Sequence, residues 1–307
     1  MTPTVNDSAN RGQSRPELVP RNPALGSAAG PQSALASIRT NALGRALRRS
    51  VRIPLLCGHA VLGLVLQATL FTFRPVLRSE RVEREVTRRW HGGLCRLVGL
   101  DLRVRGCLPD GPCLVVSNHI SWLDIPVIGS CLAVSFLSKS EVRNWPIVGW
   151  LATNAGTLYI ARGAHGVRDV TRDMSNSLFQ GRHVAFFPEG TTTAGDAVRR
   201  FLPPLFAAAV EAGVPVQPVA VRYPHGGGTH PHAPFVDDES LVTHIWRLLG
   251  SRGMVAEVTF CAPIEDGSDR RRLARTAYQA IFQVLVGEAD GMEAADPVAI
   301  GLGDATG

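Results

Sequence analysis

From residue 101 onward, the spacing of apolar and polar residues alternates between the period of a strand and that of a helix. Short apolar or alternating runs predict strands at 101–106, 112–116, 134–137, 157–161, 183–187, 214–223 and 255–260. Helical spacing of apolar residues predicts helices at 145–154, 167–180, 202–212, 240–249 and 269–286. Strands that alternate with helices in this way predict an α/β fold with a largely parallel or mixed sheet.

A different pattern precedes this region. Residues 53–73 contain no charged side chain and are interrupted only by Pro54, His59 and Gln67. A membrane-spanning helix needs about 20 such residues, and arginines on both sides of the run give no orientation. Three interpretations remain open: a helix that enters one leaflet and returns, with an amphipathic interfacial helix over 76–98, a simple span, or a buried core helix.

Charge is unevenly distributed along the chain. Its 32 basic and 26 acidic residues give a net charge of +6, and residues 1–52 alone hold eight arginines against two acidic residues. The rest of the chain is therefore neutral, which argues against a nucleic-acid-binding domain and for an anionic membrane surface. The predicted organisation is a disordered basic leader at 1–40, membrane-anchoring helices at 41–98, a catalytic domain at 99–287 and a flexible tail at 288–307.

The first block whose side chains could take part in a reaction is residues 117–124, SNHISWLD, directly after a predicted buried strand. His119 and Asp124 are five positions apart at a strand-to-helix turn, where their side chains can meet. The carboxylate would accept the imidazole N–H, fix its tautomer and raise its basicity. Such a pair activates a hydroxyl that the substrate itself supplies. Taken alone, it is also compatible with a structural histidine.

Three further blocks follow predicted strands. Arg162, in GTLYIARG, would present a planar cationic fork to a phosphate. The tight turn in FFPEGTT, residues 186–192, would expose Glu189 and backbone N–H groups toward an anion or a hydroxyl. Two prolines in VPVQPVAV, residues 214–221, predict an edge or irregular strand. Taken singly, the block with Arg162 is also compatible with an ordinary solvated arginine, and the block at 186–192 with a plain turn.

In this order and at these separations, the four blocks resemble the glycerolphosphate acyltransferase superfamily, in particular the bacterial 1-acylglycerol-3-phosphate O-acyltransferases. The resemblance covers about residues 85–265. It implies a glycerolphosphate-acyltransferase-like mixed sheet flanked by helices, preceded by a membrane-anchoring helix or two-helix motif. It further implies transfer of a fatty acyl group from acyl carrier protein or coenzyme A to 1-acyl-sn-glycerol-3-phosphate, giving phosphatidic acid. The expected location is the cytosolic face of the inner membrane.

The resemblance also implies a role for individual residues. His119 would be the general base and Asp124 its orienting partner. Lys139 is the only lysine of the chain and matches a position where members often carry one, so we expect it on the acyl-donor or phosphate side of the cleft. The acceptor would be bound by Arg162, Glu189, Gly190 and Thr191. This chemistry requires no metal or redox cofactor.

Some residues depart from the family pattern and leave the acceptor open. Ala161 stands where many members have an acidic residue. The residues after His119, Ile-Ser-Trp-Leu, are also found in relatives that acylate lyso-ornithine lipid, which is therefore the alternative acceptor. A non-catalytic lipid-binding membrane module is the alternative from another class. Three histidines within 225–232 are interpreted as a polar loop and not as a metal site.

Overall fold

The computed structural model describes residues 31–77, 80–161, 163–236, 238–265 and 267–287. The chain divides into two units, residues 1–42 and 43–307, and the contacts discussed below all lie in the second. The predicted disordered leader at 1–40 lies outside the described residues as far as residue 30, whereas residues 31–40 are helical; the predicted tail at 288–307 lies outside the described residues.

The elements follow the predicted strand and helix pattern closely. The strands are β1 Leu100–Gly106, β2 Leu114–Ser117, β3 Val134–Lys139, β4 Leu158–Ile160, β5 His183–Phe186, β6 Val216–Arg222, β7 Pro224–His225, β8 Gly228–Thr229 and β9 Met254–Phe260. The helices are α1 Pro31–Leu77, α2 Glu80–Val98, α3 Asp124–Cys131, α4 Val148–Asn154, α5 Ala164–Phe179, α6 Ala207–Ala212, α7 Leu241–Gly250 and α8 Arg270–Gly287. Single 3₁₀ turns at Ser140–Asn144 and Pro204–Phe206 precede α4 and α6.

Seven strands form one mixed sheet in the order β1-β9-β6-β2-β5-β3-β4. Every pair is parallel except β6 with β9. Each face of the sheet is covered by helices, since Val115 belongs to one buried apolar cluster while Leu114 and Val116 belong to the other. The predicted α/β class with a mixed, helix-flanked sheet is confirmed.

The two prolines at the beginning of this segment, Pro215 just before β6 and Pro218 within it, led to one wrong prediction, that of an edge strand. Instead of forming an edge, β6 lies in the middle of the sheet between β2 and β9. The ladder with β9 starts only at Val219, one residue after Pro218, and the Pro218 carbonyl accepts the Cys261 N–H at 3.0 Å. Pro218 therefore occupies a place where its missing N–H interrupts no continuous ladder. The helix expected after the strand-to-helix turn is α3, for which the sequence pattern gave no range, and the small β7–β8 hairpin was not predicted.

Helix α1 has two different faces. By length and composition, its stretch Asn41–Phe73 could cross a membrane. One face packs on the α/β domain through Ile53, Leu56 and His59. The other face exposes large apolar side chains, namely those of Leu43, Leu47, Val51, Leu55, Val61, Leu62 and Val65. The helix is therefore not the buried core helix that the sequence left open.

The arginines that precede the apolar run of α1 have partners inside the protein. Three of them donate to backbone carbonyls at the end of α7, Arg48 to Gly250, Arg49 to Trp246 and Arg52 to Ser251, at 2.9 to 3.1 Å. The last carbonyls of a helix lack intrahelical donors and form the negative end of its dipole, so cationic donors stabilise them. These three arginines thus attach α1 to the domain in addition to any contact with anionic lipid.

Candidate active site

The predicted histidine–aspartate pair forms at the carboxyl end of β2. His119 lies in the loop after the strand, and Asp124 is the first residue of α3. Nδ1 of His119 and Oδ2 of Asp124 are 2.8 Å apart. Because Nδ1 faces the carboxylate, Nε2 is the ring nitrogen that remains to face a substrate hydroxyl. The imidazole is partly accessible, with 18 % of its side chain exposed, whereas Asp124 is fully buried.

The Asp124 carboxylate is surrounded by donors. Besides the imidazole, Oδ2 accepts the backbone N–H groups of Ile120 and Ser121, at 2.7 and 2.9 Å. Oδ1 accepts the hydroxyl of Tyr223 at 2.7 Å. A buried charge is stable only when its lone pairs are satisfied in this way. Burial, together with the neighbouring Asp124 charge, raises the pKa of Tyr223, so the phenol stays protonated and donates.

An aromatic ring covers one side of the imidazole. The Phe187 ring stacks on that of His119 with centroids 3.8 Å apart and planes 10° from parallel. Phe187 directly follows β5, the parallel neighbour of β2 in the sheet. The stack and the carboxylate together hold the imidazole in one orientation.

Glu189, a predicted acceptor ligand, binds two backbone groups instead of pointing into open space. Its Oε1 accepts the His119 N–H at 2.8 Å, and its Oε2 accepts the Arg199 N–H at 2.7 Å. The side chain is buried, and this burial raises the pKa of the carboxyl despite both donors. Glu189 therefore joins the loop after β5 to the backbone of His119.

The other predicted ligands lie at the same edge of the sheet where the structure describes them. Gly190 adopts a φ of 72°, which favours glycine, and Gly190 and Thr191 are exposed. Lys139 is the exposed last residue of β3. Arg162 lies outside the described residues. Since β2, β3, β4, β5 and β6 run parallel, the segments that follow them meet at one edge.

Two residues next to His119 fix its loop in ways that the sequence did not reveal. Asn118 is buried and exchanges two hydrogen bonds of 2.9 Å with the backbone of Val221 in β6. Trp122 donates from Nε1 to Nδ1 of the buried His244 in α7, at 2.9 Å. The available signal was a polar side chain close to the end of a predicted strand. Asn118 comes two positions after 112–116 and Tyr223 is the last residue of 214–223, but this signal does not identify the partner.

The three histidines of the loop after β6 lie close together. The ring of His230 is 4.9 Å from that of His225 and 5.6 Å from that of His232, between centroids. Within the described part of the chain, no group of three or more His, Cys, Asp or Glu side chains is arranged to hold a metal ion.

Chemically, the site can remove a proton from a hydroxyl. An imidazole with a fixed tautomer and a buried anionic partner can accept that proton, because the carboxylate stabilises the imidazolium that results. The position of the pair, at the carboxyl end of a parallel strand, is where α/β enzymes bind their substrates.

Comparison with known proteins agrees with this chemistry. The family model described as Acyltransferase matches residues 101–222. The chain is 44 % identical over 249 residues to the lyso-ornithine lipid O-acyltransferase of Pseudomonas aeruginosa, covering 80 % of this chain and 95 % of that protein. It is 32 % identical over 203 residues to the 1-acyl-sn-glycerol-3-phosphate acyltransferase of Neisseria meningitidis, covering 64 % and 80 %.

A solved structure has the same fold. The 1-acyl-sn-glycerophosphate acyltransferase PlsC of Thermotoga maritima matches with a TM-score of 0.58 at 20 % identity, over 80 % of this chain and all of that chain. This match shows the fold, while the family model and the curated relatives define an acyltransferase of lysophospholipid type. The chain belongs to the PlsC-type acyltransferase family, and the predicted resemblance is confirmed.

Proposed function

We propose that the chain transfers a fatty acyl group from an acyl thioester, carried by acyl carrier protein or coenzyme A, to the hydroxyl of lyso-ornithine lipid. The observation that supports acyl transfer is the 2.8 Å pairing of His119 with Asp124 beside a partly open surface. The acceptor is supported by the relatives. Lyso-ornithine lipid acyltransferases match at 44 % and, in Brucella abortus, 34 % identity over about three quarters of the chain or more.

In this reaction His119 is the general base. Its Nε2 takes the proton of the acceptor hydroxyl while the oxygen forms a bond to the thioester carbonyl carbon. The tetrahedral intermediate then expels the thiolate, which receives the proton from the imidazolium. Asp124 stabilises that imidazolium and does not itself take up the proton. A general base of this kind contributes about 10²–10⁴-fold to the rate.

The second candidate acceptor is 1-acyl-sn-glycerol-3-phosphate, which the sequence blocks favoured. Relatives with that activity in their name match at 32 % identity. The two acceptors differ in headgroup chemistry, because an ornithine headgroup carries an ammonium and a carboxylate where the other carries a phosphate. We propose that Arg162, Lys139, Gly190 and Thr191 line the acceptor side of the site in either case.

We further propose that α1 attaches the enzyme to the cytosolic side of the inner membrane without crossing it. The helix packs on the domain from Arg48 as far as Gly63, whose Cα lies beside the side chains of Trp90 and Leu151. Residues 64–73 span only about 15 Å of helix, half of the roughly 30 Å hydrocarbon core. Its exposed apolar face fits a helix that lies in one leaflet. The proposed division is therefore an anchor at 41–98 and a catalytic domain at 99–287.

The test is an acylation assay with the full chain in membranes. Lyso-ornithine lipid and 1-acyl-sn-glycerol-3-phosphate are offered separately, each with acyl carrier protein and coenzyme A donors. We expect acylation of lyso-ornithine lipid by the wild type and a loss of about 10²–10⁴-fold in His119→Gln.

The outcome separates the candidates. Exclusive acylation of 1-acyl-sn-glycerol-3-phosphate would reassign the acceptor and leave the mechanism intact. Equal activity of the wild type and His119→Gln would contradict the mechanism. A folded, membrane-bound wild type that acylates neither acceptor but binds one of them would establish a lipid-binding module in place of an enzyme.

A further inference from the structure

The segment between β3 and α4 exposes an unusual amount of apolar surface. Trp145, Ile147, Val148 and Trp150 have 41 %, 52 %, 42 % and 43 % of their surface exposed. Scattered single apolar residues are normal on a protein surface, but four within six positions form a patch of the kind that marks an interaction surface. We call residues 145–150 the tryptophan turn.

The backbone of the tryptophan turn is strained in order to present these side chains. Ile147 has a φ of 64° and a ψ of −60°, and the Val148 N–H donates to the Pro146 carbonyl at 2.6 Å. This is the rare form of the γ-turn, and its positive φ is strongly unfavourable for a β-branched residue such as isoleucine. Within the described part of the chain, Ile147 is the only residue other than glycine with a positive φ. A strained apolar side chain held outward is typical of a functional contact.

The strain is maintained by contacts beneath the turn. The Gly149 N–H donates to the Trp145 carbonyl at 2.9 Å. A side chain at Gly149 would meet the Arg143 carbonyl oxygen at 2.3 Å, so the turn can close only on glycine. The Tyr159 hydroxyl contacts the Gly149 carbonyl and Thr153 at 3.3 and 2.9 Å. Hydrogen bonds of the Tyr159 hydroxyl therefore connect the turn to β4.

The position of the tryptophan turn indicates what covers it. It follows β3, so it lies at the edge of the sheet where His119 follows β2. On its other side, Leu151 lies against Gly63 of α1, since a side chain at Gly63 would be 3.3 Å from Leu151 Cδ2. The exposed apolar surface of the turn is therefore adjacent to α1, whose outer face is apolar as well.

We propose that the tryptophan turn is a second lipid-contacting surface, which enters the headgroup region of the bilayer beside α1. Tryptophan is the side chain most enriched at that depth, because its ring is apolar and its N–H can still reach water. Contact through α1 and the adjacent turn would hold the opening of the site at the membrane surface, where a lysolipid hydroxyl is found. The proposal rests on membrane attachment by α1, but not on which acceptor is used.

The test uses the full chain bound to vesicles of phosphatidylcholine and phosphatidylglycerol. The chain has five tryptophans, and the double variant Trp145→Phe/Trp150→Phe removes two of them while keeping aromatic rings at both positions. The difference in emission between wild type and variant isolates the turn. We expect that difference emission to be quenched by lipids with brominated acyl chains and to be shielded from aqueous iodide.

A control site lies at the opposite edge of the sheet. Phe179 ends α5, four positions before β5 begins, and 67 % of its surface is exposed. Phe179→Trp places a further indole there, and we expect its emission to be quenched by iodide and unaffected by brominated lipid. The control shows that quenching at the turn does not arise from general adsorption of the protein.

A second variant changes the turn without removing its tryptophans. Ile147→Gly relieves the positive φ and deletes one lipid-facing side chain, so we expect retained folding and weaker quenching by brominated lipid. Iodide quenching of the turn in vesicles would overturn the proposal. Shielding from both quenchers would also overturn it and assign the surface to a second copy of the chain. Co-sedimentation with vesicles reports α1 separately, so failure of the anchor is distinguishable from failure of the turn.

Discussion

The hydroxyl of Tyr223 donates a hydrogen bond of 2.7 Å to Oδ1 of Asp124, across 99 positions of sequence. Both side chains are buried, with 1 % and 0 % of their surface exposed. The aspartate is thus held from the β6 side by a phenol and from its own loop by two backbone N–H groups. Its orientation toward His119 does not depend on the imidazole alone.

Tyr223→Phe should therefore lower kcat while leaving KM for both substrates nearly unchanged. Removing the phenol leaves Oδ1 without a donor and lets the carboxylate turn. If about 1.4 kcal/mol of that hydrogen bond supports the transition state, the rate falls about tenfold. Steady-state kinetics, normalised to folded protein, measure the split between kcat and KM. A rise in KM with constant kcat would instead place Tyr223 against a substrate.

Glu189→Gln distinguishes a bracing role for this residue from substrate binding. The Glu189 carboxylate accepts the backbone N–H groups of His119 and Arg199, one with each oxygen. A glutamine amide has only one oxygen, so its NH₂ group would face one of these two N–H groups, which would then lose its acceptor. We expect a loss of stability of about 1–3 kcal/mol together with a lower kcat, because a buried donor loses its acceptor. Chemical denaturation and kinetics are the measurements. Unchanged stability with a raised KM for the acceptor would show that Glu189 binds substrate, as the sequence resemblance implied.

A buried histidine predicts a loss of stability in acid. Burial lowers the pKa of His91 in α2 from 6.5 to about 4. The unfolded chain therefore binds a proton that the folded chain does not, so stability is present above about pH 6.5 and falls as the pH drops toward about 4. The slope from this one group is about 1.4 kcal/mol per pH unit.

Thermal unfolding in detergent, at pH values on both sides of that window, measures this effect. His91→Phe removes the titration and keeps an aromatic ring that can still face Phe136, at the cost of altered packing near Gly129. Its stability should change less with pH than that of the wild type. Parallel curves for the two proteins would contradict the assignment of the acid loss to His91.

Local features of the fold and the site could be predicted from sequence, and contacts distant in sequence could not. The strands of the main sheet follow from apolar runs, and His119 and Asp124 are only five positions apart, so one loop is enough to join them. The contact of Tyr223 with Asp124 requires β6 to lie beside β2. Pro215 and Pro218 argued against that arrangement, because a proline lacks the N–H that a continuous ladder needs. The rule does not apply here, since β6 pairs with β9 only beyond Pro218.

The pattern of charged residues likewise does not identify contacts between residues that are distant in sequence. A run of arginines next to an apolar helix predicts contact with an anionic surface, and lipid phosphates and helix carbonyls both satisfy that pattern. Only the packing of α1 on α7 reveals that Arg52 donates to the carbonyls of Leu249 and Ser251. The run of arginines therefore predicted that these side chains contact negative charge or carbonyl oxygens, but not which group they contact.

Arg52→Ala provides the test of that partnership. The guanidinium is half-buried and donates to two carbonyls at the end of α7, so its removal leaves both without a donor. Since hydrogen bonds from charged groups contribute about 1.5–3 kcal/mol, we expect a loss of that order in the free energy of unfolding. Arg45→Ala is the matched control, because Arg45 is an exposed arginine of the same helix.

Both variants remove one positive charge from α1, so a purely electrostatic attraction to lipid would weaken equally in the two. We therefore expect equal binding to anionic vesicles and unequal stability in detergent, with Arg45→Ala close to the wild type. Disruption at the end of α7 should also reach the loop that carries His119, since Trp122 donates to His244 in that helix. Accordingly, kcat should fall in Arg52→Ala and stay unchanged in Arg45→Ala. Equal stability of the two variants would show that the α7 carbonyls do not need these arginines.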